Sequence, residues 1–323
     1  MEIRLKSSGI GSKEIVKIFK KKLKTISLKE EVYSGSKITF RSIDLGSVFV
    51  LAQDFVTSDQ EDFVLEATQD QPVFLLQFVF NGDALFSLED CQNSEFKIQS
   101  NMYSLLYLPN LKYSITYLKG KSNVLAVYFT ESFLKDKMGT AYLESLKNYE
   151  EAKEKNLFCA VLGQNMILNN KLRDVVNELI NCSFKGVARK SYLEVKLTEI
   201  VLLALQSSNL KSAINKLREE DKEVLVKIEN YIQNNLHKDL TIEKLSVLAG
   251  FNTSKFKSAF KQFYGVTVFK YITSLRLEKA KGLIVNNNYT VAQASYEVGY
   301  KNPQHFTVAF KKKLGYLPSQ LLD

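Results

Sequence analysis

The sequence is poor in the residues that metal and hydrolytic chemistry need. His237 and His305 are its only histidines, and both lie in the last third of 323 residues. A metal-dependent β-barrel enzyme needs clustered histidines with an acid in the barrel, so that class is excluded for the N-terminal half. A Ser-His-Asp triad is excluded there for the same reason, and no GxxxxGK[ST] or GxGxxG loop is present. We therefore predict no catalytic residues, no metal and no cofactor.

Cysteine is scarce as well. Cys91, Cys159 and Cys182 are widely spaced and form no CxxC pair. Neither a zinc site nor a disulfide framework follows from three such residues. We predict reduced structural thiols.

Long hydrophobic runs are missing. The longest ones, such as "VFLLQFVF" at 73–80 and "IVLLALQ" at 200–206, are far shorter than the roughly 20 residues of a membrane span. The N-terminus lacks the apolar segment and cleavage site of a secretion signal. The sequence predicts a cytoplasmic protein with no membrane partner.

The composition that is present is soluble and globular, and its charge is uneven. With 45% hydrophobic and 24% charged residues, the chain is long enough for two domains. Residues 221–323 contain 15 Lys and Arg against 8 Asp and Glu, so they carry +7 of the net +9. A localised cationic field attracts polyanions through counterion release, which makes nucleic acid the leading partner class. An acidic membrane surface is the alternative.

The N-terminal half has the pattern of short strands. From about 36 to 130, apolar and β-branched runs alternate with turn signals, including Asn81-Gly82-Asp83, whose residues tolerate positive φ angles. This pattern predicts an antiparallel sandwich or barrel. From about 132 the period becomes helical, with amphipathic segments at 170–182 and 188–206.

A charged segment without an apolar face separates the two halves. We place the connector at 209–221, after a regulatory domain at 1–208 and before a helical domain at 222–323. In the latter, Thr241 and Asn252 are predicted helix N-caps, and Gly250 and Gly265 are predicted helix ends. The same design recurs from Thr290 to Gly315.

Each copy consists of a capped short helix, a glycine-containing turn and a second helix, which is the helix-turn-helix arrangement. Phe256 with Phe260, and Phe306 with Phe310, form i,i+4 pairs that are predicted to pack against the first helix of their unit. The opposite face stays free for DNA, with amides and hydroxyls for base edges, valine for a thymine methyl and lysine for phosphates. The predicted DNA-binding residues are Asn252, Thr253, Ser254, Lys255, Lys257, Ser258, Lys261, Lys301, Asn302, Gln304, His305, Thr307, Val308, Lys311 and Lys312.

The segment between the two copies predicts a long linker helix. Thr267–Val285 would extend for roughly 28 Å at 1.5 Å per residue. Successive major grooves on one face of DNA are roughly 34 Å apart. One chain could therefore present both second helices to adjacent grooves of double-stranded DNA.

At these residues the sequence resembles the C-terminal domain of the AraC/XylS family of bacterial transcription regulators. The resemblance covers about 222–320, and its most specific parts are "VGYKNPQHFTVAFKKKLGYLPSQ" at 298–320 and "SLRLEKAKGLI" at 274–284. Val268, where the family usually has Pro, and His305, where Tyr is frequent, depart from the pattern, as do Ser246 and Ser295 in place of Ala. The resemblance implies a cupin-like antiparallel β barrel followed by helices, which binds a small effector or mediates dimerisation, and RNA polymerase as a further partner.

Three features of the sequence have both a structural and a functional interpretation. Tyrosines 103, 107, 113, 117 and 128 are typical of a barrel core, with an aromatic ligand pocket as the alternative. His305 is either a phosphate contact or a packed helix residue. The helix at 188–207 carries Leu193, Leu197, Val201 and Ala204 on one stripe, which serves either the monomer core or a homodimer.

The leading prediction is a non-enzymatic transcription regulator that binds promoter DNA through two helix-turn-helix units. The rival is a small-molecule-binding or enzymatic barrel with a helical protein-interaction tail. The concentration of basic charge and the duplicated second helices favour the first.

Overall fold

The computed structural model describes residues 2–8, 14–18, 24–33, 36–56, 62–69, 71–88, 95–110, 112–118, 120–163, 165–206 and 217–322. The chain divides into two compact units. The N-terminal unit comprises Met1–Leu168 and Leu172–Asn209, and the C-terminal unit comprises Leu210–Asp323 and Asn169–Lys171.

The N-terminal unit is built from antiparallel strands. Its described strands are β1 (Glu2–Ser8), β2 (Glu14–Ile18), β3 (Lys24–Tyr33), β4 (Ser36–Asp44), β5 (Val48–Val56), β6 (Phe63–Gln69), β7 (Val73–Asn81), β8 (Ala84–Leu88), β9 (Glu95–Ile98), β10 (Met102–Leu108), β11 (Lys112–Tyr117), β12 (Lys121–Phe129), β13 (Cys159–Ala160) and β14 (Met166–Ile167). One sheet has the order β2-β1-β6-β11-β8-β9, and the other has the order β13-β10-β7-β12-β5-β4-β3 with β14 paired to β10.

The two sheets face each other through aromatic side chains. Phe55 of the larger sheet lies 4.5 Å from Phe63 and 5.1 Å from Tyr117 of the smaller sheet, measured between ring centroids. Alternate residues of β6 are buried, because the smaller sheet buries one face only. The central strands β7 and β10 are buried on both faces.

Helices cover the second face of the larger sheet. They are α1 (Glu131–Met138), α2 (Thr140–Glu144), α3 (Lys147–Glu154), α4 (Asn170–Ile180) and α5 (Gly186–Gln206). Leu193, Leu197, Ile200 and Val201 of α5 belong to this core, together with strand residues such as Phe78. The helical segments predicted at 170–182 and 188–206 are therefore confirmed.

The predicted closed barrel is wrong. Neither described sheet returns to its first strand: β2 and β9 are the edges of one, and β13 and β3 are the edges of the other. Aromatic contacts, not strand hydrogen bonds, join the sheets where Phe55 meets Tyr117. The strands β1 to β3, which precede residue 36, were not predicted, although β1 pairs with β6 in the smaller sheet.

The tyrosines and cysteines behave as structural residues. Tyr103, Tyr113, Tyr117 and Tyr128 are at most 1% exposed and Tyr107 is 4% exposed, which is the burial that the barrel-core interpretation predicts. Cys159 and Cys182 are free thiols, and burial raises the pKa of the Cys159 thiol to about 11. Cys91 lies outside the described residues.

The C-terminal unit is helical. Its described helices are α6 (Glu219–Asn234), α7 (Ile242–Leu248), α8 (Thr253–Tyr264), α9 (Val268–Asn287), α10 (Val291–Glu297) and α11 (Pro303–Leu314), followed by a 3₁₀ turn (Pro318–Leu321). α6 begins at Glu219, inside the predicted connector 209–221, whose residues 209–216 lie outside the described ones. No helix in the described part of the chain has both the length and the hydrophobicity that a membrane span requires.

Candidate nucleic-acid interface

The first helix-turn-helix unit consists of α7 and α8, and its start signals are side-chain caps. Thr241 Oγ1 accepts a hydrogen bond from the Lys244 backbone N–H at 3.3 Å. Asn252 Oδ1 accepts one from the Lys255 N–H at 2.7 Å, which fixes the start of α8. Each cap satisfies an N–H that the helix itself leaves unpaired.

The second unit, α10 and α11, repeats this design with small changes. Thr290 Oγ1 accepts from the Gln293 N–H, and the Gln293 side chain accepts from the Thr290 N–H, which completes a capping box. Asn302 Oδ1 accepts from the Gln304 N–H at 2.8 Å, and Pro303 is the first residue of α11. The predicted N-caps of both units are therefore confirmed.

Paired phenylalanines hold each second helix against its unit. Phe256, Phe260, Phe306 and Phe310 are all fully buried. The ring centroids are 5.8 Å apart in the first pair and 5.5 Å apart in the second. Phe260 also meets Tyr271 of α9 at 5.5 Å, so α8 is anchored to the linker helix as well.

The faces opposite these phenylalanine pairs are exposed. Each position of α8 has its counterpart 50 residues later in α11, so that Ser254 corresponds to Gln304 and Ser258 to Val308. At about 100° per residue, positions 258 and 308 lie about 180° from the midpoint of the pair on their own helix. We refer to α8 and α11 as the first and second recognition helices. Their exposed residues on this face are Ser254, Lys255, Lys257, Ser258 and Lys261 in α8, and Gln304, His305, Val308, Lys311 and Lys312 in α11.

Lys255 differs from the other predicted contact residues because its charge is engaged inside the unit. Its Nζ lies 2.8 Å from Asp221 Oδ1 at the start of α6 and 4.0 Å from the ring centroid of Phe251. These contacts draw the ammonium towards α6. Lys255 therefore holds α8 to α6 in this structure.

The remaining predicted site residues have mixed positions. Asn252 and Asn302 use their side-chain oxygens as caps, and the Thr307 hydroxyl donates to the Pro303 carbonyl at 2.9 Å. Thr253 and Lys301 are exposed at the entry to their recognition helices. His305 is exposed too, so the packed alternative for this histidine is wrong.

A junction around Arg276 fixes the two helix-turn-helix units of the C-terminal domain relative to each other. Arg276 of α9 donates from Nε to the Leu236 carbonyl at 2.9 Å and from Nη2 to the Lys238 carbonyl at 2.8 Å. Its guanidinium also lies 5.8 Å from the Tyr300 ring centroid, and burial lowers its pKa. Arg276 thus ties the loop after α6 to the linker helix and to the turn of the second unit.

Gly299 completes this junction because no side chain fits there. Its φ is +89°, and a Cβ at this position would come within 2.6 Å of the Leu236 carbonyl oxygen. The sequence analysis predicted a glycine-containing turn in the second helix-turn-helix unit, but it assigned no role to Arg276. Arg276 lies on the linker helix, to which the sequence analysis assigned only the spacing of the two helix-turn-helix units. The presence of an arginine on that helix was the one signal in the sequence that could have indicated the junction.

Comparisons with known proteins agree with this geometry. A family model described as a helix-turn-helix domain matches residues 245–323. An uncharacterized helix-turn-helix-type transcriptional regulator in the cgkA 5′ region of Pseudoalteromonas carrageenovora is 32% identical over 109 residues, which cover 31% of this chain and 64% of that protein. The probable transcriptional regulator LumQ of Photobacterium leiognathi is 31% identical over 96 residues, which cover 30% of this chain and 39% of that protein.

One solved structure has a low overall similarity to this chain. The C-terminal domain of AraT, a response regulator from Geobacillus stearothermophilus, is similar over 33% of this chain and 86% of that chain, with 26% identity and a TM-score of 0.30. The matches to the two curated relatives span 39% and 64% of their lengths.

Proposed function

We propose that this chain, whose C-terminal region is a helix-turn-helix domain of the AraC type, is a sequence-specific DNA-binding regulator of transcription. The observation that carries the proposal is the pair of capped, phenylalanine-anchored recognition helices held by one junction. Each exposes polar or cationic side chains on the face opposite its anchor. Such a face suits the edges of bases and the flanking phosphates in a major groove.

The length of the linker helix supports binding to adjacent grooves. α9 has 20 residues, or about 30 Å at 1.5 Å per residue. That is close to the roughly 34 Å between successive major grooves on one face of the duplex. Ser254, Ser258, Gln304 and Val308 would approach bases, and Lys257, Lys261, Lys311 and Lys312 would approach bases or phosphates.

The test is binding of the full chain to promoter DNA at several salt concentrations. A pool of fragments from the source genome is enriched for bound sequences and compared with random DNA by gel shift. We expect tighter binding to enriched fragments and a linear fall of log K with log salt concentration, since counterions are released at phosphate contacts. No binding at low salt would overturn the proposal, and equal binding to enriched and random DNA would overturn its sequence specificity.

The N-terminal unit is proposed to regulate this binding through self-association. The stripe of Leu193, Leu197, Val201 and Ala204 is buried within the unit, so it is not available to a partner. A different face of α5 is free: Val195 is 63% exposed and Leu202 is 44% exposed. These two residues are seven apart and therefore lie on one side of the helix.

Two copies of α5 could pair antiparallel about the midpoint between Thr198 and Glu199. A two-fold axis there places Val195 of one copy against Leu202 of the other, twice, because a two-fold interface repeats each contact. Pairing of this kind brings two DNA-binding units together and raises their effective concentration on DNA. The homodimer contact thus moves from the predicted leucine stripe to the exposed face.

Sensing of a small effector is a second proposed role of the N-terminal unit. Gln77 is fully buried; the Tyr117 hydroxyl interacts with its amide, but neither amide atom makes a hydrogen bond of good geometry among the described residues. The Tyr117 hydroxyl donates to Gln53 Oε1 at 3.4 Å nearby. Unsatisfied buried amides are costly, so a polar ligand or water that reached them would be stabilised. Two facing antiparallel sheets with buried polar side chains between them support the proposal that the N-terminal unit is related to cupin-like effector-binding domains.

A regulator of this kind has no enzymatic role and works on the chromosome, which in bacteria lies in the cytoplasm. RNA polymerase is the partner through which a promoter-bound regulator would act. The rival reading, an enzymatic or ligand-binding barrel with a protein-interaction tail, gives no account of the matching exposed faces of α8 and α11.

A further inference from the structure

The centre of the exposed face of the second recognition helix is apolar. Val308 is 67% exposed, although a valine on a surface helix gains nothing from contact with water. It lies opposite the buried pair Phe306 and Phe310 and so at the point of α11 that reaches furthest from its own unit. Among the residues that the structure describes, nothing covers the outer surface of this side chain.

The first recognition helix carries different chemistry at the same positions. Ser258 is the counterpart of Val308, and Lys257 is the counterpart of Thr307. From Pro303 to Phe310, α11 contains no lysine, arginine or acid; its one titratable side chain there is the exposed His305, and its lysines begin at Lys311. The Thr307 hydroxyl donates to the Pro303 carbonyl, so it is already engaged within the helix.

Gln304 lies one turn before Val308 on the same exposed face. Side chains four apart on a helix have Cβ atoms about 5–6 Å apart, which spans about one to two base-pair steps. In the major groove a glutamine amide matches N6 and N7 of adenine, and an apolar side chain matches the C5 methyl of thymine. Guanine is normally read by arginine or lysine, which the first two turns of α11 do not contain.

We propose that the second recognition helix specifies A·T base pairs, with Val308 against a thymine methyl group and Gln304 against an adenine of the same or the next pair. This inference rests on the proposed DNA-binding function. The first recognition helix, with serine at both positions, has no such preference. The two half-sites are therefore unequal, and the protein binds its target in one orientation.

The experiment uses the full chain and its enriched DNA sites, with single-atom changes in the bases. Deoxyuridine replaces each thymine in turn, which removes only the methyl group. 7-Deazaadenine replaces each adenine, which removes the N7 acceptor. We expect one deoxyuridine position to weaken binding about fourfold, the loss that corresponds to one buried methyl group. One deazaadenine position within two base pairs of it should weaken binding about tenfold.

One valine variant and one glutamine variant assign the two contacts. Val308→Ala should weaken binding to DNA that contains the contacted thymine, and replacing that thymine by deoxyuridine should then have no further effect. Gln304→Ala should likewise make binding insensitive to 7-deazaadenine at the contacted adenine. Val247→Ala is the matched control, because Val247 is 77% exposed on α7 and lies on neither recognition helix, so it should keep both sensitivities. Circular dichroism confirms that the variants are folded.

The outcomes separate this inference from the proposed function. If the chain binds enriched DNA but tolerates deoxyuridine at every position, the A·T assignment is wrong and DNA binding stands. The same holds if Val308→Ala keeps the full deoxyuridine penalty. If the chain binds no DNA at all, both proposals fail together.

Discussion

Lysines on the two recognition helices differ in what their ammonium groups contact. Lys255 pairs with Asp221 and lies over Phe251, whereas Lys311 is exposed in the last turn of α11. A solvent-exposed ammonium can replace a counterion on a phosphate, and an engaged one must first leave its partner. The two lysines should therefore contribute differently to DNA binding.

Lys311→Ala is predicted to weaken binding to specific and random DNA alike. If Lys311 neutralises one phosphate, the slope of log K against log salt should fall by about 0.9. Lys255→Ala should leave that slope unchanged and lower the stability of the C-terminal unit by less than about 1 kcal/mol, the range for an exposed ion pair. Salt titrations by fluorescence anisotropy measure both slopes, and equal slopes for the two variants would contradict this division.

At the scale of elements, the relation between the two helix-turn-helix units depends on one tight turn. The Arg276 guanidinium donates hydrogen bonds to the carbonyls of Leu236 and Lys238, and Gly299 packs against the same loop. Both glycine turns have positive φ, +66° at Gly250 and +89° at Gly299. Only the second is crowded, because a Cβ at Gly250 would meet open space.

Gly299→Ala is predicted to be the more damaging of two matched substitutions. Gly250→Ala should cost about 1 kcal/mol, the strain of a left-handed alanine. Gly299→Ala adds a clash at 2.6 Å with the backbone oxygen of Leu236 and should cost about 2–4 kcal/mol. Urea unfolding followed by circular dichroism gives both values. Similar losses at the two glycines would mean that the junction is not tight in solution.

At the scale of the whole molecule, assembly depends on which face of α5 is free. Leu197 is 1% exposed, so a charge there would disrupt the core of the N-terminal unit and could not report on a dimer. Val195 and Leu202 are 63% and 44% exposed, so a charge at either position disturbs the core much less than one at Leu197.

The predicted start of the C-terminal domain at residue 222 removes one contact of that domain. A fragment that starts there would lack Asp221, the partner of Lys255.

The wild-type chain is predicted to form a dimer that Val195→Glu or Leu202→Glu disrupts. Each substitution would place two like charges in a two-fold interface and raise the dimer dissociation constant at least tenfold. Analytical ultracentrifugation at micromolar concentrations measures this. Val247→Glu makes the same chemical change at an exposed valine of the C-terminal unit and should leave the mass unchanged. A monomeric wild type at every concentration would end the dimer proposal without affecting the DNA-binding one.

Local signals in the sequence determined most of the C-terminal unit. Thr241, Asn252 and Thr290 cap helices, and a cap depends on only a few neighbouring residues. The buried phenylalanine pairs follow from helical spacing alone. The exposed face opposite each pair was therefore predictable before any tertiary contact was known.

Contacts between distant segments were decided only by the tertiary structure. The engagement of Lys255 by Asp221, the junction at Arg276 and the burial of Leu197 each involve residues far apart in the chain. Barrel closure failed as a prediction for the same reason, since alternation within a strand fixes which side is buried but not which strand pairs at the sheet edge. The sequence thus determined which helix faces are exposed opposite the phenylalanine pairs. The tertiary structure decided which side chains on those faces already have a partner within the protein, because only folding brings distant partners such as Asp221 and Lys255 together.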